Sequence, residues 1–255
     1  MLRNRVRESR MSLNPMFTSV ARTYDLVNKA LTFGLDGIWR DACARECASG
    51  QTVLDLCCGT GELASRILRH FTPEACVIEL DLNKAMLAKA VEKISARRRK
   101  SPNTAARRES VVAGASDPNF ILADSAHLPF KDGCVDRIGI SFSFRCLVYK
   151  NPKATVYLKE ALRALRPGGR FVCVETSQPS RRLFRVLFRL YCMKMVPLVG
   201  WRISGRRGAY RYLGLSAANF PSGEEVAAML LNAGFRRASF VPRTFGVVAL
   251  HVAVK

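Results

Sequence analysis

A short apolar run, Thr52-Val53-Leu54-Asp55-Leu56, passes through Cys57-Cys58 into Gly59-Thr60-Gly61, and a helical pattern opens near Leu63. Such a run reads as a buried parallel strand, and strand, glycine turn, helix is a nucleotide-binding order. The glycines let the backbone turn tightly and let a ligand approach amides that a Cβ would shield, while Asp55 offers a carboxylate at the strand end. Taken alone the stretch leaves two readings open. Gly59-Thr60-Gly61-Glu62-Leu63-Ala64 also fits the dinucleotide pattern, with a second acid, Asp81, about 20 residues on as that fingerprint requires.

The charge balance narrows the partner. The 255 residues carry 41 Lys and Arg against 20 Asp and Glu, a net +21, which favours an anionic partner such as nucleic acid or an anionic lipid surface. The excess is uneven: residues 51–92 come to −2, residues 93–117 to +5 and residues 171–213 to +8. The glycine-loop region thus stays mildly acidic, which suits a positively charged cofactor. The nine cysteines include no C-x-x-C pair and lie mostly in apolar runs, so they read as reduced core residues in a cytosolic setting. Cys43 and Cys47 are spaced to share a helix face, but with three histidines in the chain no second ligand pair is evident and no metal site is expected. No signal peptide is visible, and no uncharged run reaches the roughly 18 residues that a membrane-spanning helix needs.

Residues 1–15 are expected to be a basic flexible tail, with Met11 an alternative start, and residues 16–255 a single domain. Phe17, Val20, Tyr24 and Val27 recur at helical spacing, and Asp36 is placed to cap a helix carrying Trp39; this leader is either a pair of covering helices or a lid bearing Tyr24 and Asp25. Strands are expected at Cys76–Asp81, Asn119–Ala123, Val135–Phe142 and Phe171–Glu175, and the first and second of these end in or just before an acid, Asp81 and Asp124. A carboxylate at the Asp81 position is where α/β cofactor folds hold a ribose, since its oxygens accept both hydroxyl hydrogens. Helices are expected at 62–70, from Lys84 to about Ala96, at 152–165, where Leu165-Arg-Pro-Gly-Gly-Arg170 makes a stop and turn, and at 223–233. Residues 97–117, rich in Arg and turn formers, read as a surface insertion. In 180–213, Arg181, Arg182, Arg185 and Arg189 interleave with Leu183, Phe184, Leu187, Phe188 and Leu190, a basic amphipathic segment that either packs on its own domain or faces a membrane. Phe235–Val241 and Phe245–Val254 read as a closing hairpin joined by Pro242-Arg243-Thr244.

Asp55-Leu-Cys-Cys-Gly-Thr-Gly61, Asp81, Ala123-Asp124-Ser125-Ala-His-Leu-Pro-Phe130 and Leu165-Arg-Pro-Gly-Gly169 together resemble the motif series of class I S-adenosylmethionine-dependent methyltransferases, and a dinucleotide dehydrogenase would not explain the last two. Within that superfamily the chain is similar to the ubiquinone/menaquinone biosynthesis C-methyltransferases of the MenG/UbiE type. The specific residues are Met16-Phe-Thr-Ser-Val-Ala-Arg-Thr-Tyr-Asp-Leu-Val-Asn28 through Trp39-Arg40, Ile140-Ser-Phe-Ser-Phe-Arg145, Ser204-Gly-Arg-Arg-Gly-Ala-Tyr-Arg-Tyr-Leu213 with Phe220-Pro221, and Gly246-Val-Val-Ala-Leu-His251.

The resemblance implies an α/β, Rossmann-like fold with a seven-stranded, mostly parallel sheet, helices on both faces and a C-terminal antiparallel hairpin. It implies S-adenosylmethionine as cofactor, held by Asp55, Gly59, Thr60, Gly61, Asp81, Asp124, Ser125 and Ser141, with Tyr24 and Arg145 at the reacting centre. The implied reaction is carbon methylation of a prenylated quinol, with an anionic membrane surface as peripheral partner, a homodimer left open and RNA set aside as substrate. Four positions depart from the family pattern: Cys146 stands where an Asn is usual, Arg206 where an acid is frequent, Leu215 where a Glu is, and Glu79 where a Gly is. An RNA or other small-molecule methyltransferase, and a non-catalytic partner in a quinone-synthesis assembly, are the rival readings.

Overall fold

Alternate residues of the central strands face opposite ways, and here both faces are apolar. Leu54, Leu56, Ile78, Leu80, Ile138 and Ile140 enter one core, and Val53, Val77, Val172 and Val174 enter the other. Strands buried on both faces belong in a parallel sheet covered by helices. The computed structural model, which describes residues 13–70, 76–100 and 118–255, has that architecture. Its strands are β1 Thr52–Leu56, β2 Cys76–Asp81, β3 Asn119–Leu122, β4 Val135–Ser141, β5 Leu165–Thr176, β6 Arg237–Arg243 and β7 Val248–Val254. They form one sheet in the order β3-β2-β1-β4-β5-β7-β6. β1 to β5 pair in parallel, and β7 pairs antiparallel with both β5 and β6. The order reverses between β1 and β4, where open α/β sheets bind ligands at the carboxyl ends of their strands.

The helices are α1 Tyr24–Leu31, α2 Asp36–Cys47, α3 Ala64–His70, α4 Lys84–Lys100, α5 Phe144–Val148, α6 Ala154–Ala164, α7 Arg182–Leu190, α8 Val196–Ser204, α9 Arg207–Ala218 and α10 Gly223–Asn232. α2 and α3 cover one face through Trp39, Cys43, Cys47, Ala64 and Ile67; α6 and α10 cover the other through Tyr157, Leu158, Val226 and Leu230. Cys43 and Cys47 do share a helix face, and both are buried core; no group of metal-ligating side chains occurs among the described residues.

Several expected boundaries move. Residues 13–20 are helical, so the last three residues of the expected tail are structured, and Asn83 Nδ2 donates to the Asn14 carbonyl at 2.8 Å and to Thr18 Oγ1 at 2.9 Å; residues 1–12 lie outside the described ones. α4 runs to Lys100, taking up the first four residues of the expected insertion, because Arg and Lys are good helix formers; residues 101–117 lie outside the described ones. Asp36 is the first residue of α2 rather than its cap, and its carboxylate pairs with Arg40 one turn on. The stretch from Leu165 to Arg170 is part of β5, with an irregular register against β4, since Gly168 N donates to the Lys255 carbonyl and Lys255 N to that of Gly169. The closing hairpin turns through Thr244–Gly246, and Pro242 sits inside β6, an edge strand that tolerates a residue without an N–H.

Candidate active site

Each of β1 to β4 delivers its next residues to one cavity. Cys57 to Thr60 follow β1, Asp81 to Asn83 close β2, Ala123 to Ser125 follow β3, and Ser141, Ser143 and Cys146 come from the end of β4 and α5. The N-terminal helix and α1 roof it with Leu13, Asn14, Phe17 and Tyr24.

The two loop glycines serve different ends. Gly59, at φ +59°, would carry a Cβ into open space, so its backbone is bare toward the cavity, which it lines. Gly61, at φ +75°, would place a Cβ 2.7 Å from Glu79 Oε2 and 3.0 Å from Ala90 Cβ. It is glycine because α4 and β2 press on it, and it does not line the cavity. Asp55, expected in the cofactor set, is buried beneath the loop and does not line the cavity; its Oδ2 accepts from Ala64 N at 3.0 Å and so holds the start of α3. Burial and then the charge of Glu79, its neighbour in register on β2, push the Asp55 carboxyl well above the usual range, against the pull of the Ala64 amide.

Asp81 does face the cavity. Oδ2 accepts from Gly59 N at 2.8 Å and Oδ1 from Asn83 N at 2.7 Å, which fixes the carboxylate while leaving lone pairs for hydroxyl donors. Burial raises its pKa, with the Asn83, Gly59 and Leu82 amides pulling it down. Asp124 holds its turn through Ala126 N at 2.9 Å, and Ser125 stands beside it in the wall. Ser141 Oγ accepts from Arg40 Nε at 3.4 Å. Thr60 donates to Asp25 Oδ1 at 2.5 Å, and Lys93 joins Asp25 Oδ2 at 2.6 Å to Glu62 Oε1 at 2.5 Å. The Thr60 hydroxyl, in the cavity lining, thus also latches the roof, beside Tyr24, to the glycine loop and α4.

A second cavity, of about 380 Å³, adjoins the first, and Tyr24 and Arg40 line both. Its inner end is polar, with Tyr24, Asp36, Arg40, Arg145 and Thr176; outward it is bounded by Trp39, Phe184, Leu187, Phe188 and Phe245. Arg145 is buried in α5. Nη1 donates to Glu175 Oε1 at 2.8 Å and to Thr176 Oγ1 at 3.3 Å, while Nε has no hydrogen-bond partner. Burial alone would lower its pKa, but the charge of Glu175 opposes it and the guanidinium is held more firmly charged. Burial raises the Tyr24 phenol, partly offset by Arg145, and lifts the Cys146 thiol to about 11. Both stay protonated at neutral pH.

Of the expected site residues, Tyr24, Gly59, Thr60, Asp81, Asp124, Ser125, Ser141 and Arg145 line one or other of these two spaces, while Asp55 and Gly61 lie behind the first. Sequence reasoning gave no role to Arg40 or Glu175. The signal for Glu175 was available, as an acid at the end of a strand; that for Arg40 was not, because its partners Asp36 and Ser141 and the Phe142 ring, 5.0 Å below its guanidinium, meet it only in the fold.

A seven-stranded sheet with reversed order at β1/β4 and an antiparallel β7 set between β5 and β6, together with a carboxylate ending β2 and a glycine loop over the switch point, has the form of a class I methyltransferase fold. Solved structures agree: a putative S-adenosylmethionine-dependent methyltransferase from Methanococcus maripaludis superposes with a TM-score of 0.59 at 16% identity, covering 93% of each chain. One from Aquifex aeolicus gives 0.50 at 18% identity, over 80% of this chain and 81% of the other. The family is given by sequence. The model of the ubiE/COQ5 methyltransferase family matches residues 3–255, and the chain belongs to that family. It is 32% identical to the ubiquinone/menaquinone biosynthesis C-methyltransferase UbiE of Geobacter sulfurreducens, over 98% of this chain and 91% of the relative. To the demethylmenaquinone methyltransferase of Thermus thermophilus it is 37% identical, over 93% and 98%. The chain is an S-adenosylmethionine-dependent C-methyltransferase.

Proposed function

We propose that the enzyme methylates a ring carbon of a reduced, prenylated quinone, demethylmenaquinol or the equivalent benzoquinol, across the wall where its two cavities meet. The observation that carries this reading is the pairing itself: an acid-rimmed cavity at the strand ends shares Tyr24 and Arg40 with an apolar one whose inner end holds Arg145. The cofactor fits the first. Asp81 would accept from the ribose hydroxyls, Asp124 and Ser125 would flank the adenine, and the bare backbone of Gly59 leaves room for the chain that bears the sulfonium. S-adenosylmethionine brings an already activated methyl, so the protein's work is alignment and exclusion of water.

A quinol carbon becomes nucleophilic as its neighbouring hydroxyl releases a proton to solvent; it would take the methyl as the S–CH3 bond breaks, the thioether leaving, and the ring hydrogen it replaces would depart to solvent as a proton. Arg145, held charged, is no base; it stabilises the phenolate oxygen, and its unpartnered Nε is the donor a substrate oxygen would satisfy. Glu175 keeps the guanidinium in place, and Tyr24, retaining its proton, closes the roof against the methyl. Cys146, neutral in the wall of the first cavity, supplies no base either. The substrate's tail makes it membrane-held, and the protein would dock peripherally on an anionic bilayer through the basic segment 180–213 to reach it; among the described residues no helix is long and apolar enough to cross.

A nucleic-acid substrate is the second reading, favoured by the net charge of +21. The test is methyl transfer from labelled S-adenosylmethionine to a chemically reduced lipid extract, beside an oxidised extract and total RNA. Label confined to the quinone fraction of the reduced extract is expected. Label in RNA, or in none of the three, overturns the proposal.

A further inference from the structure

Helix α7 buries none of its nine residues, although Leu183, Phe184, Val186, Leu187, Phe188 and Leu190 are apolar. An amphipathic helix covered by its own domain would bury that face. Leu183, Leu187 and Leu190, at i, i+4 and i+7, stay 52–67% exposed. Beside the helix stand two turn tips of the same kind. Phe33, between α1 and α2, is 83% exposed at φ +53°, and Phe245, between β6 and β7, is 75% exposed at φ +57°. Non-glycine residues rarely adopt the left-handed region, so these tips present aromatic rings to solvent at a cost in backbone strain. Phe245 stacks on Phe184 with ring centroids 4.9 Å apart, and Trp39 Nε1 pins the tip by donating to Thr244 Oγ1 at 3.0 Å.

Phe33, Phe184 and Phe245 also line the second cavity. They are therefore its mouth, and the mouth opens through the exposed apolar surface. Along α7 and the elements that follow it the charge is of one sign: nine Lys and Arg lie between Glu175 and Glu224 with no acid among them. All nine are exposed, and no ion pair among the described residues involves any of them. A second copy of this chain would bring like charges together at that face. An anionic lipid surface instead offers negative headgroups to the arginines and acyl chains to the rings beside them.

We propose that α7 and the Phe33 and Phe245 tips form a membrane-inserted portal, through which a lipid-borne substrate passes between an anionic bilayer and the second cavity without crossing water. This rests on the quinol reading for the identity of the cargo and not for the docking. The test starts with co-sedimentation of the full chain, free of cofactor and substrate, with phosphatidylcholine vesicles and with vesicles containing phosphatidylglycerol. Binding to the second set alone, weakened by salt, is expected, and Leu183→Glu/Leu190→Glu, both outside the cavity wall, should weaken it at least tenfold. With Trp201→Phe, Phe245→Trp places an indole at the tip whose emission brominated acyl chains should quench.

On activity, the Leu183→Glu/Leu190→Glu enzyme should lose at least tenfold in turnover of a long-tailed quinol held in vesicles, while keeping its turnover of a short-tailed, dissolved one. Equal vesicle binding by the variant overturns the proposal, as does an unquenched tip or an equal loss on both substrates. So does capture of RNA by this face with no vesicle binding. If wild-type protein methylates the dissolved quinol yet ignores vesicles, the portal falls and the quinol reading stands. If vesicles are bound and quenched but no quinol is methylated, the quinol reading falls and the docking stands.

Discussion

At the scale of single residues, burial decides what each ionisable group can do. Arg145 is locked in its charged form by Glu175, so its loss should be felt in the transition state. Arg145→Lys keeps the charge but not the planar fork; turnover should fall about 100-fold while isothermal titration shows S-adenosylmethionine binding within about threefold of wild type. Parallel losses in both would make Arg145 structural. Asp55 and His251 pull stability in opposite directions with pH. The Asp55 pKa is raised in the fold, so the native state holds a proton that the unfolded chain releases, and stability falls as pH rises from the ordinary carboxylate range toward the raised value. Asp55→Asn retains an acceptor for Ala64 N and removes the titrating group, so its Tm should fall less than that of the wild type between pH 5 and pH 8 in thermal melts. His251, fully buried in β7, is pushed down to about 4 by desolvation. Its contribution is intact above pH 6.5 and is lost as pH falls toward 4, by roughly 2 kcal/mol at pH 5. Denaturant midpoints measured from pH 7 to 5 should fall less steeply in His251→Leu.

Between elements, the glycine loop is held from both sides. Below it, α4 and β2 crowd Gly61 while Gly59 is free of neighbours, so equal substitutions should differ. Gly61→Ala combines left-handed strain with overpacking and should cost about 3 kcal/mol; Gly59→Ala carries the strain alone, about 1 kcal/mol, and shows its larger effect in cofactor affinity. Thermal melts with and without S-adenosylmethionine separate the two. Above it, the chain Thr60–Asp25–Lys93–Glu62 fastens α1 to the loop and to α4. Lys93→Met removes the cation without touching a reacting atom. KM for S-adenosylmethionine should rise about fivefold, equivalent to about 1 kcal/mol, with kcat little changed. A fall in kcat alone would mean that the latch acts on chemistry and not on roof closure. The same roof is tied to the segment after α7, where Tyr191 Oη donates to the Leu31 carbonyl at 2.5 Å, so the cofactor cover and the second cavity share one frame.

For the whole molecule, one sheet edge gathers both cavities, so filling the first should stabilise the entire fold. S-adenosylmethionine at a hundredfold excess over its Kd should add about 2.7 kcal/mol, an upward shift of about 8 °C in Tm for a chain of this size. Asp81→Asn, which weakens the acceptor offered to the ribose, should lose most of that shift, and Arg145→Lys should keep it. A shift retained in Asp81→Asn would remove that residue from the cofactor set. Charge is also organised on this scale: a net +21 coexists with a mildly acidic glycine-loop region, because the cations collect elsewhere, notably in the acid-free run between Glu175 and Glu224.

The sequence by itself determined the strand runs, their terminal acids and the glycine turn, because these are local patterns that backbone chemistry dictates, and the resemblance implied the seven-stranded sheet they form. Resemblance added Tyr24 and Arg145. Tertiary structure alone decided the rest. It withdrew Asp55 and Gly61 from the cavity, since which way a side chain faces at a strand end depends on the helix packed behind it. It brought Arg40 to the junction of the two cavities through a partner 101 positions away in the chain, and set Glu175 behind Arg145. It left α7 uncovered, which no periodicity could reveal: an amphipathic helix reads the same whether its apolar face meets its own core or something outside, and only the packing of the other elements says which.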